Sequence, residues 1–212
     1  KNMNLDIVSD ISKIDGEVWN NLNINEHPFT THEFLNSLEQ SKSVCAETGW
    51  LPQHIVLKDI NHKIIGILPN YLKSHSYGEY VFDHSWANAY HQAGGSYYPK
   101  LISSIPFTPV KGPRFLYEKS KKNIVFKNIS HFLMKIVDKN NLSSAHINFL
   151  NDGSNKFLEN QGWLKRLGLQ FHWENHEYSN FNDFLAQLKN SKRKMIKKER
   201  SAIQHSGIII NK

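Results

Sequence analysis

The chain has 212 residues, 39% of them apolar and 12% aromatic, a composition that supports a sizeable core and excludes a disordered chain. No run approaches about 18 apolar residues and no signal-peptide pattern opens the sequence, which excludes a membrane-spanning helix and makes the cytoplasm the expected location. The net charge of +7 is concentrated: residues 189–200, KNSKRKMIKKER, carry seven basic and one acidic side chain, while the rest of the chain carries 19 and 18.

Residues 3–8, MNLDIV, read as a first strand, with the natural start at Met3 or upstream of it. Ile14–Leu22 reads as a short helix. Thr30-Thr31-His32-Glu33 reads as a capping box in which Thr30 bonds the amide at Glu33, opening a helix with Phe34, Leu35 and Leu38 on one face. Cys45 is the only cysteine, so no internal disulfide or zinc finger can form. As a nucleophile it lacks an evident His or Asn partner. His54–Asp59 and Lys63–Lys73 predict a hairpin about the turn Ile60–His62. Leu101–Pro106 reads as a further strand. Ser120 is the expected cap of a helix over 121–139, whose Val125, Ile129, Phe132, Leu133, Ile136 and Val137 form an apolar stripe. Ser144–Leu150 reads as a strand, 154–160 as a short helix ended at Gly162, and Trp163–Trp173 as another strand. A two-faced helix is expected over 180–205. Phe181, Phe184, Leu185, Leu188, Met195, Ile196 and Ile203 form its apolar stripe, and most of the basic residues lie opposite. Gly207 ends it, and Ile208-Ile209-Ile210 begins a strand. This order gives an α/β class with a mixed sheet.

Between Lys73 and Phe107 the periodicity is lost. Eight aromatic residues (Tyr77, Tyr80, Phe82, Trp86, Tyr90, Tyr97, Tyr98 and Phe107) mix with His75, Glu79, Asp83 and Lys100. Two readings stay open: the wall of a ligand pocket, or a long loop that buries its rings against the core. Glu79, Asp83 and His75 are the candidate bases, because burial among rings raises a carboxyl pKa toward neutrality. Tyr80 and Tyr98 are candidate proton donors, and Tyr77, Tyr97, Tyr98, Lys100 and Arg114 candidate substrate-binding residues. A carboxylate buried unpaired is costly, so Lys100 and Arg114 are the expected partners. Glu79, Asp83, Lys100, Arg114, Tyr80 and Tyr98 are therefore predicted to line one cleft. Twelve histidines are scattered, and His172 and His176 are four apart on an expected strand end, where they do not converge, so no metal site is expected.

The segments Lys73-Ser74-His75-Ser76-Tyr77-Gly78-Glu79-Tyr80-Val81-Phe82-Asp83, Tyr97-Tyr98-Pro99-Lys100-Leu101, Pro106-Phe107-Thr108-Pro109-Val110 and Gly112-Pro113-Arg114 occur in an order that resembles the FemAB-like family of N-acyltransferases, associated with peptidoglycan biosynthesis and recognition. Pro28-Phe29, Gly49-Trp50-Leu51-Pro52, Gln170-Phe171-His172-Trp173 and Lys198-Glu199-Arg200 extend the likeness over nearly the whole chain. The resemblance implies a GNAT-like acyltransferase fold, α/β with a mixed, mostly antiparallel sheet flanked by helices. It implies acyl or aminoacyl transfer to an amine such as a cell-wall precursor, from acyl-CoA or aminoacyl-tRNA. It also implies a domain over 1–178, with 179–212 leading into a second GNAT-like half. Coenzyme A usually sits on a Gln/Arg-x-x-Gly-x-Gly/Ala loop before a helix. The matching stretch, KGPRFLYEKSKKN, offers Gly112, Arg114, Lys119, Lys121 and Lys122 without that glycine spacing, and Pro113 lacks an amide donor. Lys192, Arg193, Lys194, Lys197, Lys198 and Arg200 would suit tRNA phosphates. The alternatives are a non-catalytic module that recognises tRNA or a cell-wall glycan or peptide, and a basic face that is merely solvated. Oligomeric state is not legible.

Overall fold

The two apolar runs on either side of Ile60–His62 pair as predicted. In a computed structural model, which describes residues 3–208, they form β3 (His54–Lys58) and β4 (Ile64–Leu68), antiparallel, with Ile55 opposite Leu68. Both strands are buried along most of their length, as expected of central strands whose runs are continuously apolar. β1 (Asn4–Val8) pairs with β3, and β7 (Leu116–Tyr117) with β4, giving the sheet order β1-β3-β4-β7.

The second run does not continue as one strand to Lys73. Pro69 has no amide to give to a ladder, and the chain leaves the first sheet there. Tyr71–Lys73 becomes β5 of a second sheet, ordered β2-β5-β6-β8. Its other strands are β2 (Trp50–Pro52), β6 (Lys100–Ser103) and β8 (Ala145–Ile147). Among the described strand pairs β6–β8 alone is parallel, so the first sheet is antiparallel and the second mixed.

Side chains alternate across the first sheet and split the core in two. Ile55 and Leu57 face a cluster with Val125, Phe126, Ile129 and Leu133 of α4 (Lys122–Lys139). Val56 and Ile67 face Ile11, Trp19, Leu22 and Leu35, from α1 (Gly16–Leu22), α2 (His32–Gln40) and the turn before α1. Phe126 stacks on Phe115 at 4.1 Å between centroids. Phe132, Ile136 and Val137 are only half-buried, at the margin of that cluster. α4 meets β4 closely at Gly66, where a Cβ would lie 2.4 Å from a Val125 methyl.

Several expectations are corrected. Thr31, not Thr30, caps α2, accepting from the Phe34 amide, and Thr30 is buried against Asn23. Ser120 turns to Glu118 and does not cap α4, which is entered through a tight turn at Lys119–Lys121. The aperiodic stretch contains an unforeseen helix, α3 (His84–Gln92). α5 (Asp152–Glu159) forms as expected, capped by Asn151. Trp163–Trp173 is irregular, with Leu164 98% and Phe171 94% exposed. Its alternation is that of a strand, but the backbone there takes no strand conformation in a sheet.

The chain divides into two compact units, Lys1–Leu167 and Gly168–Lys212. In the second, the single helix expected over 180–205 is two, α6 (Phe181–Gln187) and α7 (Asn190–His205). Leu188 is extended between them, and the Arg193 guanidinium donates to the Leu185, Ala186 and Leu188 carbonyls at the break. Of the strand expected from Ile208, Ile209 and Ile210 lie outside the described residues. Among the described residues no helix is long and apolar enough to cross a membrane.

Candidate active site

Lys73 ends β5 and Lys100 begins β6, and the two are register partners. Directly opposed residues share a face, where two like charges repel. Both side chains are fully buried; the 74–99 segment between them supplies all of the hydrogen-bond partners named below, and Trp50 of β2 lies against Lys73. Lys100 Nζ lies 2.9 Å from Glu79 Oε2, 2.6 Å from Asp83 Oδ2 and 3.1 Å from Ser76 Oγ. Lys73 Nζ sits 3.6 Å from the centre of the Trp50 ring and donates to the Tyr77 carbonyl at 3.2 Å. Burial, helped by the neighbouring Lys100 charge and opposed by Glu79, brings the Lys73 pKa down to about 7.

The loop reaches this position through unusual backbone. Gly78 has φ +79, and a Cβ there would lie 2.6 Å from the Phe107 ring. Tyr80 and Phe82 hold left-handed φ values of 59 and 49, a conformation that costs non-glycine residues energy. Asp83 stands at the cap position of α3 yet makes no cap bond. Its carboxylate turns inward to Lys100 and accepts from the Tyr97 hydroxyl at 2.8 Å.

The two carboxyls are set apart electrostatically. Burial raises Glu79, and Lys100 offsets this only partly. Burial also works against a charged Asp83, but hydrogen bonds from Lys100, Ser76 and Tyr97 outweigh it and hold the acid well below the usual carboxylate range. Each keeps one buried oxygen without a hydrogen-bond partner, Glu79 Oε1 and Asp83 Oδ1. Tyr98 shares a 2.6 Å hydrogen bond with Ser76. His146 of β8 bonds Ser144 and is brought down to about 4 by burial and then by the Lys100 charge, so it is neutral near pH 7.

Glu79, Asp83, Lys100, Tyr97 and Tyr98 are thus brought together. Arg114 is not with them: it is buried elsewhere, bonding the Asn148, Pro113 and Val110 carbonyls, and burial lowers it to about 10. Tyr77 and Tyr80 are exposed, outside the cluster. His75 is half-buried beside the Tyr77 ring, accepts the Tyr77 amide, and is lowered by burial and by Lys73. In the second unit Lys192, Lys194, Lys197 and Lys198 are exposed. Arg193 is committed to the α6 carbonyls, and Arg200 lies 4.2 Å over the Phe181 ring. The Gly112 amide is bonded to Phe149. Among the described residues no three or more His, Cys, Asp or Glu side chains come together as a metal site.

A family profile described as FemAB-like, peptidoglycan biosynthesis/recognition, matches residues 10–212. The chain belongs to the FemAB-like family. No curated protein matches it. Among solved structures it is similar to an aminoglycoside antibiotic 6'-N-acetyltransferase from Acinetobacter baumannii, at 12% identity and a TM-score of 0.46, over 82% of this chain and 99% of that one.

In this FemAB-like chain, sequence reasoning passed over Ser76, Lys73 and His146. The last two left a signal. Each is a polar residue set in an apolar strand run, YLK and AHI, where a buried ionisable group needs a partner from elsewhere.

Proposed function

We propose that this FemAB-like chain transfers an acyl or aminoacyl group to a primary amine of a cell-wall precursor, on a GNAT-like scaffold. The family membership supports the reaction class. One observation carries the site: Lys100 holds Glu79 by one oxygen, leaving the other unpaired on a carboxyl that burial makes more basic. Such a carboxylate can accept a hydrogen bond from an incoming amine and then its proton. The amine nitrogen forms a bond to the acyl carbon, and the carbon–sulfur bond of a thioester, or the carbon–oxygen bond of an aminoacyl ester, breaks. The leaving group needs a proton, a role we assign to the Tyr98 hydroxyl, which is bonded to Ser76 beside Lys100. Asp83 stays ionised and fixes Lys100 and Tyr97 in place. The donor is an acyl-CoA or an aminoacyl-tRNA; the exposed lysines of α7 support the second, since phosphate contacts need charge free of other partners.

A second reading, a non-catalytic module recognising a cell-wall glycan or peptide, draws on the complete burial of Lys100 with both its carboxylates, which suits a clamp for the loop as well as a site. Glu79→Gln separates the two. Transfer from labelled acetyl-CoA or aminoacyl-tRNA to a muramyl-peptide amine should fall by about 10²–10⁴-fold in the variant if Glu79 is the base. Turnover that falls only as far as the melting temperature and folded fraction do would favour the clamp.

A further inference from the structure

Four ionisable side chains lie together in the interior, Lys73, Lys100, Glu79 and Asp83, each no more than 1% exposed. The acyl-transfer reading gives Lys73 no task. Its Nζ donates to the Tyr77 carbonyl and lies over the Trp50 ring, with no carboxylate at bonding distance among the described residues. It is nonetheless built into the strap that carries Glu79. Lys73 stands opposite Lys100 in the register, and Tyr77 is two residues before Glu79. The Trp50 Nε1 lies 3.3 Å from where a Cβ on Gly78 would be.

Charge balance limits what these four groups can hold. Lys100 balances one carboxylate. The second must be balanced by an ammonium on Lys73 or must itself carry a proton, because a buried charge without compensation is too costly. One proton therefore serves Lys73 and one of the acids. Asp83 is not that acid. Its Oδ2 accepts from both Lys100 and the Tyr97 hydroxyl, at 2.6 and 2.8 Å, whereas Glu79 Oε2 accepts from Lys100 alone. The other ionisable groups around them do not supply the balance. His146 sits at about 4, and burial and Lys73 lower His75, so both are neutral near pH 7. Tyr97 and Tyr71 are raised by burial and stay neutral, and Tyr98 is bonded to Ser76. Burial brings Lys73 to about 7 and raises Glu79, the two directions that a shared proton requires.

We propose that Lys73 and Glu79 share a single proton, which makes Lys73 the positioning residue of the base: with the proton on Lys73, Glu79 is an anion able to receive the proton of the amine. This rests on the reading of Glu79 as the base. In the full chain, the infrared carbonyl band of protonated Glu79 is the one that Glu79→Gln removes. In Lys73→Met, which fills similar space without charge, that band should persist to distinctly higher pH than in the parent. Reciprocally, NMR of isotope-labelled lysine in Glu79→Gln should show Lys73 titrating below its parent value of about 7. This second arm needs no Lys73 variant to fold. Transfer by Lys73→Met should drop at least about tenfold at pH 7 and recover toward alkaline pH. Lys73→Arg, which keeps the charge, should not move the acid limb of the rate profile to higher pH. A residue that only braced the loop would lower the melting temperature and leave that limb in place. The proposal is overturned if the Glu79 band stays at its parent pH in Lys73→Met, or if Lys73 titrates unchanged in Glu79→Gln. Turnover that survives Glu79→Gln while the two titrations remain linked would defeat the acyl-transfer reading and leave the shared proton standing.

Discussion

Lys100 is a single cation between two buried carboxylates, and its removal should be worse than the loss of either acid. Lys100→Met leaves Glu79 and Asp83 buried and uncompensated, a change expected to cost about 3–5 kcal/mol in urea unfolding at pH 7. Part of that loss should return as the pH falls and the acids take up protons. His146 gives a second test, with a definite sign. Its folded-state pKa, about 4, lies below the ordinary 6.5, so between these values the unfolded chain binds the extra proton. Its contribution to stability is present above pH 6.5 and lost as the pH falls toward 4. The variant His146→Gln should lack that loss, on the order of 2–3 kcal/mol, seen as a flatter dependence of unfolding free energy on pH across this window. Glu79 runs the other way. Burial raises its pKa, so its contribution is present at acid pH and is lost as the pH rises through the folded value.

At the level of elements, the contact of α4 with the first sheet is the most sharply posed. Gly66→Ala drives a methyl against Val125 and should destabilise by about 1–3 kcal/mol, and adding Val125→Ala should recover part of it. Along α4, Phe126→Ala should cost roughly 3–5 kcal/mol, since the ring is fully buried on Phe115. Phe132→Ala should cost clearly less because that ring is half-buried, which corrects the equal weight that the apolar stripe gives it. Equal unfolding midpoints for the two variants would contradict this packing. The same logic explains the break between α6 and α7: the apolar spacing runs through it unbroken, and Arg193, counted with the basic face by its position in the sequence, caps the first helix instead.

Across the whole molecule the charge is lopsided, and α7 carries most of the imbalance. If aminoacyl-tRNA is the donor, its affinity should fall steeply with salt. Replacing Lys194, Lys197 and Lys198 together by Gln should then flatten the log–log slope by about three times the contribution of one phosphate contact. Arg193→Gln should instead lower the melting temperature and leave the slope nearly unchanged, because its guanidinium is occupied by carbonyls. Binding that does not respond to salt would leave α7 as a solvated face.

The sequence by itself determined the elements whose signal is local. The β3–β4 hairpin, the α4 stripe and α1 follow from apolar spacing, which reports the face an element buries. It also marked Glu79 and Asp83 as acids that had to be exposed, paired or protonated, with Lys100 and Arg114 as the partners at hand, because buried charge without a partner is too costly to persist. Tertiary structure decided who the partners are. Arg114 was an equal candidate for the carboxylates, and only the register that sets Lys73 opposite Lys100 gave both acids to Lys100 and left Arg114 to backbone carbonyls. Tertiary structure also decided that Trp163–Trp173, whose alternation reads as a strand, is not one. Periodicity specifies which side chains share a face, whereas a strand exists only when another backbone offers its hydrogen bonds, and that backbone is distant in sequence.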